Sequence, residues 1–255
     1  MILRRLSQSL KEQNWTAIWI EFVLLVVGVF LGIQVANWNE ARLQKQQEQS
    51  FLAQLSDEIS SNDQSIEYQL RYLDQVIAGG RRALAYLQSD QDCMSGCASL
   101  LVDFFHASQM WGTPFSRAKY EETRRLGFPS DPSTRAAVEE FYDYINGWDA
   151  VTASPPPYRE QVRGHFSPEA AEALWRACWH SPSARVEELR RDCEADLEKL
   201  DTAAMLASIR ADAGLANALR FWLGQNTFAS RAFPEARRHA RMATAAIGQE
   251  LTGSP

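Results

Sequence analysis

The sequence predicts an all-α fold: an N-terminal transmembrane helix continuing into a long amphipathic helix, followed by a helical bundle domain. Three observations carry this. Residues 17–36 are a run of twenty whose only charge is Glu21. Residues 39–50 contain neither Gly nor Pro, so nothing obliges the helix to stop at a membrane surface. No apolar–polar alternation of useful length marks a strand.

The 255 residues are 45% hydrophobic and 23% charged, which excludes wholesale disorder, collagen-like repetition and a polytopic membrane protein. The apolar residues concentrate near the N-terminus, and the rest of the chain reads as soluble. A net charge of −6 argues against nucleic acid as a partner, because a phosphate-binding surface is basic.

Residues 1–16 read as a cytoplasmic tail and 17–38 as an uncleaved signal anchor in a lipid bilayer. At about 1.5 Å per residue a helix of that length spans the roughly 30 Å hydrocarbon core. Trp15, Trp19 and Trp38 stand where indoles anchor at headgroups. A buried core helix seldom keeps so long a run without a polar face. A cleaved signal peptide wants small residues at both positions before the cut, which Gln34, Val35 and Ala36 do not supply. Arg4, Arg5 and Lys11 against Arg42 and Lys45 give a small bias toward an inside N-terminus. The four cysteines, Cys93, Cys97, Cys178 and Cys193, all follow the span. In an oxidising compartment they form two disulfides, and Cys93 with Cys97 and Cys178 with Cys193 are favoured because each closes a short loop; four reduced thiols packed as small hydrophobes are the alternative. The expected location is a bacterial inner membrane, with the main domain periplasmic.

Within the span Gly28 and Gly32 form a GxxxG pair and Ala36 extends the small-residue spacing by a turn. This face lets two backbones approach, which predicts a homo-oligomer through the membrane helix. Glu21, seven residues before Gly28, either meets a partner near that stripe or snorkels to the headgroups.

Residues 39–90 read as one long amphipathic helix. Leu52, Leu55, Ile59, Ile66, Leu73 and Val76 suit a seven-residue repeat that Asn62 and Gln69 interrupt. The stripe meets either a second copy or later helices of the same chain, the latter being favoured by the length that remains. Gly79 and Gly80 mark a weak point, and 89–96 a turn-rich break. Residues 91–255 form the helical domain. In it, 98–111 is apolar enough to be central to a core. Thr113 and Pro114 start a helix that ends at Gly127, and Asp131 and Pro132 start another, carrying Val138, Phe141, Tyr142 and Ile145, that stops near Gly147. Pro155, Pro156 and Pro157 mark a linker near 152–158. Ser167, Pro168 and Glu169 open a helix ending near Trp179, a charged helix follows Ser181 and Pro182 through Leu200, and two final helices flank Pro234.

The membrane-exit segment Gln34, Val35, Ala36, Asn37, Trp38, Asn39, Glu40, Ala41, Arg42, with Glu21 and the apolar run around Gly28, resembles the N-terminal signature of an uncharacterised family of single-pass bacterial membrane proteins, the domain of unknown function numbered 6090. Tyr120, Glu121, Glu122, Gly127, Arg135, Phe141 and Tyr142 are similar to that family's helix, glycine, short loop and helix. The chain departs from the pattern at Ile20, where members usually carry glycine, and at Gly32, where alanine is more usual. The resemblance implies an anchored helical domain and no established activity.

None of His106, His165, His180 and His239 stands at a recognised zinc spacing. Cys178 and His180 are two apart and would face different sides of a helix. No glycine-rich phosphate loop, nucleophile elbow or dinucleotide fingerprint is present, so no cofactor and no enzyme activity is expected. The acid pairs Glu121–Glu122, Glu139–Glu140 and Glu187–Glu188 read as solvated helix faces. Arg231, Arg237, Arg238 and Arg241 read the same way, with anionic lipid or an acidic partner as the sharper alternative. The expected function is a membrane-anchored interaction or scaffold protein that binds another envelope protein. The alternative is a sensor-like periplasmic ligand-binding module acting through a partner subunit.

Overall fold

The computed structural model describes residues 15–110, 114–152, 155–183 and 186–253. Among them are eight helices and one two-stranded hairpin, so the fold is all-α. Arg4, Arg5, Lys11, Trp111, Thr113 and the middle of the expected linker, Ala153 and Ser154, lie outside the described residues. The chain divides into two units, Met1–Ser50 and Phe51–Pro255, and helix α1, Trp15–Leu87, passes through both without a break. In the first unit α1 exposes its apolar run on every side; Leu24, Leu25 and Val35 are 65%, 66% and 63% exposed. Among the described residues it is the one helix long and apolar enough to cross a membrane.

In the second unit α1 presents a single buried seam. Leu52, Leu55, Ile59, Asn62, Ile66, Gln69, Leu73, Val76, Gly80 and Ala83 follow one another at alternating spacings of three and four, and all are buried. That spacing keeps one stripe facing a partner, and the partner is the same chain. Helix α4 (Pro132–Thr152) brings Val138, Phe141, Tyr142 and Ile145 to the first part of the seam. Helix α8 (Leu215–Thr252) brings Phe233, Ile247 and a row of alanines, Ala229, Ala236, Ala240 and Ala243. The small residues on α8 share one core with leucine and isoleucine from α1, and small side chains let two helices approach closely. The two helices are antiparallel: Leu223 lies beside Gly80, whereas Arg237 reaches Asp63 at 2.8 Å.

A second core forms around helix α2 (Cys97–Ala107), which the end of α1, α5 (Pro157–Arg163), α6 (Pro168–Cys178), α7 (Thr202–Ala211) and the start of α8 enclose. Every residue of α2 from Leu101 to Ala107 is buried, so its polar groups must find partners inside the protein. The Asp103 carboxylate, 2% exposed, takes a bidentate pair from Arg82 at 2.6 and 2.8 Å and a second from Arg191 at 3.0 and 3.3 Å. The carbonyls at and beyond the C-terminal end of α2 are met from three directions: Trp222 Nε1 donates to Ala107 O at 2.8 Å, Arg159 Nη1 to Ser108 O at 2.7 Å, and the Tyr72 hydroxyl to Met110 O at 3.4 Å.

The starts at Pro132 and Pro168 agree with the sequence reading. Asp131 Oδ1 accepts the Thr134 amide at 2.8 Å and Ser167 Oγ the Ala170 amide at 3.2 Å, each proline standing where no amide is needed. Five expectations need correction. Helix α3 is Ala118–Arg125 and does not start at Pro114, because Asn62 holds both the amide and the carbonyl of Ser116 and keeps it out of the helix. Among the described residues the charged helix through Leu200 is absent. In its place a short antiparallel hairpin, β1 (Trp179–Ser183) and β2 (Val186–Leu189), leads to an irregular segment. Leu189 and Trp179 pack on Tyr72 and Val76, and the Cys178–Cys193 disulfide ties the segment back, so tertiary contacts override helix propensity. Pro234 lies inside α8, on its exposed side, where burial of Phe233 and Ala236 keeps both halves packed despite the lost amide. Helix α4 continues past Gly147 to Thr152.

Gly79 and Gly80 are the fifth correction: they are no break but the places where helices close on α1. A Cβ on Gly79 would stand 3.0 Å from the Asp103 carbonyl oxygen, and one on Gly80 2.5 Å from Leu223 Cδ2. Backbone yields less than a side-chain end. Gly79→Ala is therefore expected to lower the unfolding free energy of the full-length protein by about 1–3 kcal/mol through overpacking. Gly224→Ala, whose Cβ meets nothing within 4 Å, is expected to raise it by up to about 1 kcal/mol through helix propensity. Urea titration of both variants checks this, and stabilisation by both would contradict the close approach of α2.

Candidate functional site

The densest polar arrangement is built on Glu58, a carboxylate on the buried side of α1 that is 7% exposed. It reaches the N-terminal end of α3, where the first amides of a helix lack partners. Glu58 Oε2 accepts from the Lys119 amide at 2.9 Å and the Ser116 hydroxyl at 2.7 Å. Glu58 Oε1 accepts from the Tyr120 amide at 3.0 Å and the Tyr142 hydroxyl at 2.7 Å. A residue remote in sequence thus caps α3, for which Arg117 supplies no side-chain cap. Burial works to raise the Glu58 pKa, but the hydrogen bonds from Lys119, Tyr142, Ser116 and Tyr120 outweigh it and hold the carboxyl below its ordinary value. Burial and the Glu58 charge push the Tyr142 hydroxyl well up, so it stays a donor.

Tyr120 stacks on Tyr142 with ring centroids 4.0 Å apart, and beyond it Arg135 Nη2 donates to the carbonyls of Gly127 and Pro129. Gly127 holds a φ of 79°, which an L side chain rarely adopts. Of the residues in the second stretch that resembles the family, Tyr120, Gly127, Arg135, Phe141 and Tyr142 therefore meet in one corner. The cleft there, between Tyr120, Arg124, Phe128 and Glu139, has a volume of about 130 Å³. That is room for a few waters and below the roughly 300 Å³ at which small-molecule sites begin.

A second constellation joins residues that the sequence did not connect. His165 Nδ1 lies 2.7 Å from Ser208 Oγ, and His165 Nε2 lies 3.3 Å from Asp212 Oδ2. Hydrogen bonding to His165, then to the Gly214 amide, lowers the Asp212 pKa. Hydroxyl, imidazole and carboxylate in this order are the parts of a nucleophilic triad. Ser208, however, sits inside α7, where the neighbouring amides are engaged in the helix and do not serve as oxyanion donors. What the cluster does is link the turn after α5 to α7 and to the start of α8, whose Gly214 amide Asp212 also accepts at 3.0 Å. His106 is likewise structural: burial lowers its pKa to about 4, and its neutral ring contacts the Cys178 carbonyl at 3.3 Å.

Compared with protein-family models, curated proteins and solved structures, the chain matches none. Its residues must therefore carry the functional reading themselves.

Glu21, Gly28, Gly32 and Ala36 all lie on exposed α1 in the first unit, and nothing stands within 4 Å of a Cβ at either glycine. Disulfides join Cys93 to Cys97 and Cys178 to Cys193, so Cys178 is no partner for His180 in metal binding. Among the described residues no group of three His, Cys, Asp or Glu side chains is placed to hold a metal ion. Of the paired acids, Glu121 and Glu122 engage Arg124 and Lys119 on the surface, but Glu187 accepts from Trp179 Nε1 at 3.2 Å and is not simply solvated. In the arginine group, Arg237 is committed to Asp63 and Glu67 and Arg238 to Glu235.

Because the folded pKa of Glu58 is depressed, its stabilisation is complete above the unfolded carboxylate range and fades as pH falls through the folded value. Glu58→Gln is expected to destabilise the protein at neutral pH by about 1.5–3 kcal/mol, the range for hydrogen bonds to a buried charge. The difference from wild type should shrink on acidification from about pH 6 to about pH 3. Denaturant midpoints across that range measure it, and a difference that grows toward low pH would contradict the assignment.

Proposed function

We propose that the protein is a membrane-anchored helical interaction or scaffold protein of the bacterial cell envelope, with its N-terminus cytoplasmic and its main domain periplasmic. The observation that carries the reading is α1 itself. One unbroken helix holds, first, a span that exposes apolar side chains on all sides, and then a seam on which a folded domain with two disulfides is assembled. An all-round apolar helix is stable inside a protein core or in lipid; the fold leaves this span uncovered, which favours lipid, and disulfides persist in oxidising compartments. Resemblance of residues 34–42 to the exit segment of the single-pass family agrees with this.

The polar clusters support interaction over catalysis because their partners are other elements of the fold: Glu58 is spent on α3, Asp103 on two arginines, and His165 on a turn. The proposed partners are the bilayer, a second copy packed along Gly28, Gly32 and Ala36, and a further envelope protein bound by the helical domain.

One experiment reads both anchoring and self-association. Full-length protein carries complementary halves of a cytoplasmic reporter before Met1 and a reporter active only outside the cytoplasm after Pro255. Both signals are expected, with Gly32→Ile reducing the paired-reporter signal several-fold and Val29→Ile leaving it unchanged. A silent C-terminal reporter would refute the topology, and equal paired signals from the two variants would refute the glycine face.

A further inference from the structure

Cys93, Cys97 and Cys193 are each half-buried against the same core, so the two disulfides differ at Cys178 and in the loops they close. Cys178 is fully buried and its bridge to Cys193 spans the hairpin. Cys93 and Cys97, half-buried themselves, are only four apart in sequence and flank an exposed turn in which Met94 is 92% exposed. A bridge that closes so short a loop removes little entropy from the unfolded chain. The loop is held without it. Arg210 Nη1 donates to Asp92 Oδ1 at 2.8 Å, a second Arg210 nitrogen donates to the Gln91 carbonyl, and the guanidinium lies 4.0 Å from the centre of the Tyr86 ring. On the other side Cys97 is the first residue of α2, anchored by the burial that begins at Leu101.

We propose that Cys93–Cys97 is a redox-active disulfide that exchanges with a protein dithiol, while Cys178–Cys193 is structural. The two sulfurs differ. Cys97 stands at the positive end of an eleven-residue helix whose N-cap, Gly96, has no side chain to accept from the first amides, so negative charge on the Cys97 sulfur is stabilised. Cys93 lies outside the helix, one residue after Asp92, whose charge Arg210 pairs. Cys97 is therefore the better leaving group. A thiolate of the partner attacks Cys93 Sγ, forming a mixed disulfide as the Cys93–Cys97 bond breaks, and Cys97 leaves as a thiolate. The partner's second thiolate attacks the partner sulfur of the mixed bond and releases Cys93. The partner dithiol is oxidised to a disulfide by two electrons, this chain is reduced to two thiols, and the protons lost by the partner are taken up by Cys93 and Cys97. Arg210 and the α2 core keep both cysteines near each other, so the bridge can form again. The site is independent of the membrane reading.

The test uses full-length protein in mild detergent, equilibrated anaerobically across ratios of reduced to oxidised dithiothreitol. Thiols are trapped by alkylation and assigned by peptide mass. Cys93–Cys97 is expected to open at a ratio at least tenfold lower than Cys178–Cys193, a gap of about 30 mV for a two-electron couple. In the reduced loop at pH 7, Cys97 is expected to alkylate at least about tenfold faster than Cys93. The proposal is overturned if Cys178–Cys193 opens at the same ratio or first, or if Cys93 reacts as fast as Cys97.

Discussion

Burying α2 on every side is the constraint around which the second unit is arranged. Its sequence, from Leu101 to Ala107, is apolar except for Asp103 and His106, and an apolar helix enclosed by five neighbours contributes more burial than any surface helix of its length. The condition is that no polar group in it goes unpaired. Several neighbours supply a partner as well as a packing face: α1 gives Arg82 and Tyr72, α5 gives Arg159, α6 gives the Cys178 carbonyl that meets His106, and α8 gives Trp222, while the segment after β2 adds Arg191. Cys97 is the first residue of the same helix, so the short-loop disulfide borders the most deeply buried element.

Helix α1 organises the rest. Its packed side carries polar groups on and beside the apolar seam, and the polar ones carry specificity. Asn62 and Glu58 select the Ser116–Tyr120 segment, Asp63 selects Arg237 on α8, and Gly79 and Gly80 admit α2 and α8 at close range. A uniformly leucine-lined seam would bury as much area and leave the order of the packed helices underdetermined.

Much of this was legible locally. The apolar run, the central α2, the starts at Pro132 and Pro168, and the apolar positions of the α1 stripe depend on spacing and capping within a few residues, which a single sequence displays. Asn62 and Gln69, read as interruptions, are buried members of the seam, because what satisfies Asn62 is a backbone 54 positions away. The hairpin was illegible for a related reason: charged residues such as Glu187 and Glu188 suit a solvated helix, while Leu189 and a disulfide decide otherwise. The Glu58 corner was visible only as separate motif residues without Glu58, and His165, Ser208 and Asp212, 43 and 47 residues apart, carried no signal, since only the fold brings the turn after α5 to α7.

The central claim is that α2 can be buried only because its charge is paired. The most direct test removes the pairing and then the charge. Replacing both Arg82 and Arg191 with glutamine leaves Asp103 buried and uncompensated, which should lower the unfolding free energy of the full-length protein by about 3–5 kcal/mol. Adding Asp103→Asn to that double variant removes the stranded charge and should recover a large part of the loss. A triple variant no more stable than the double would contradict the account.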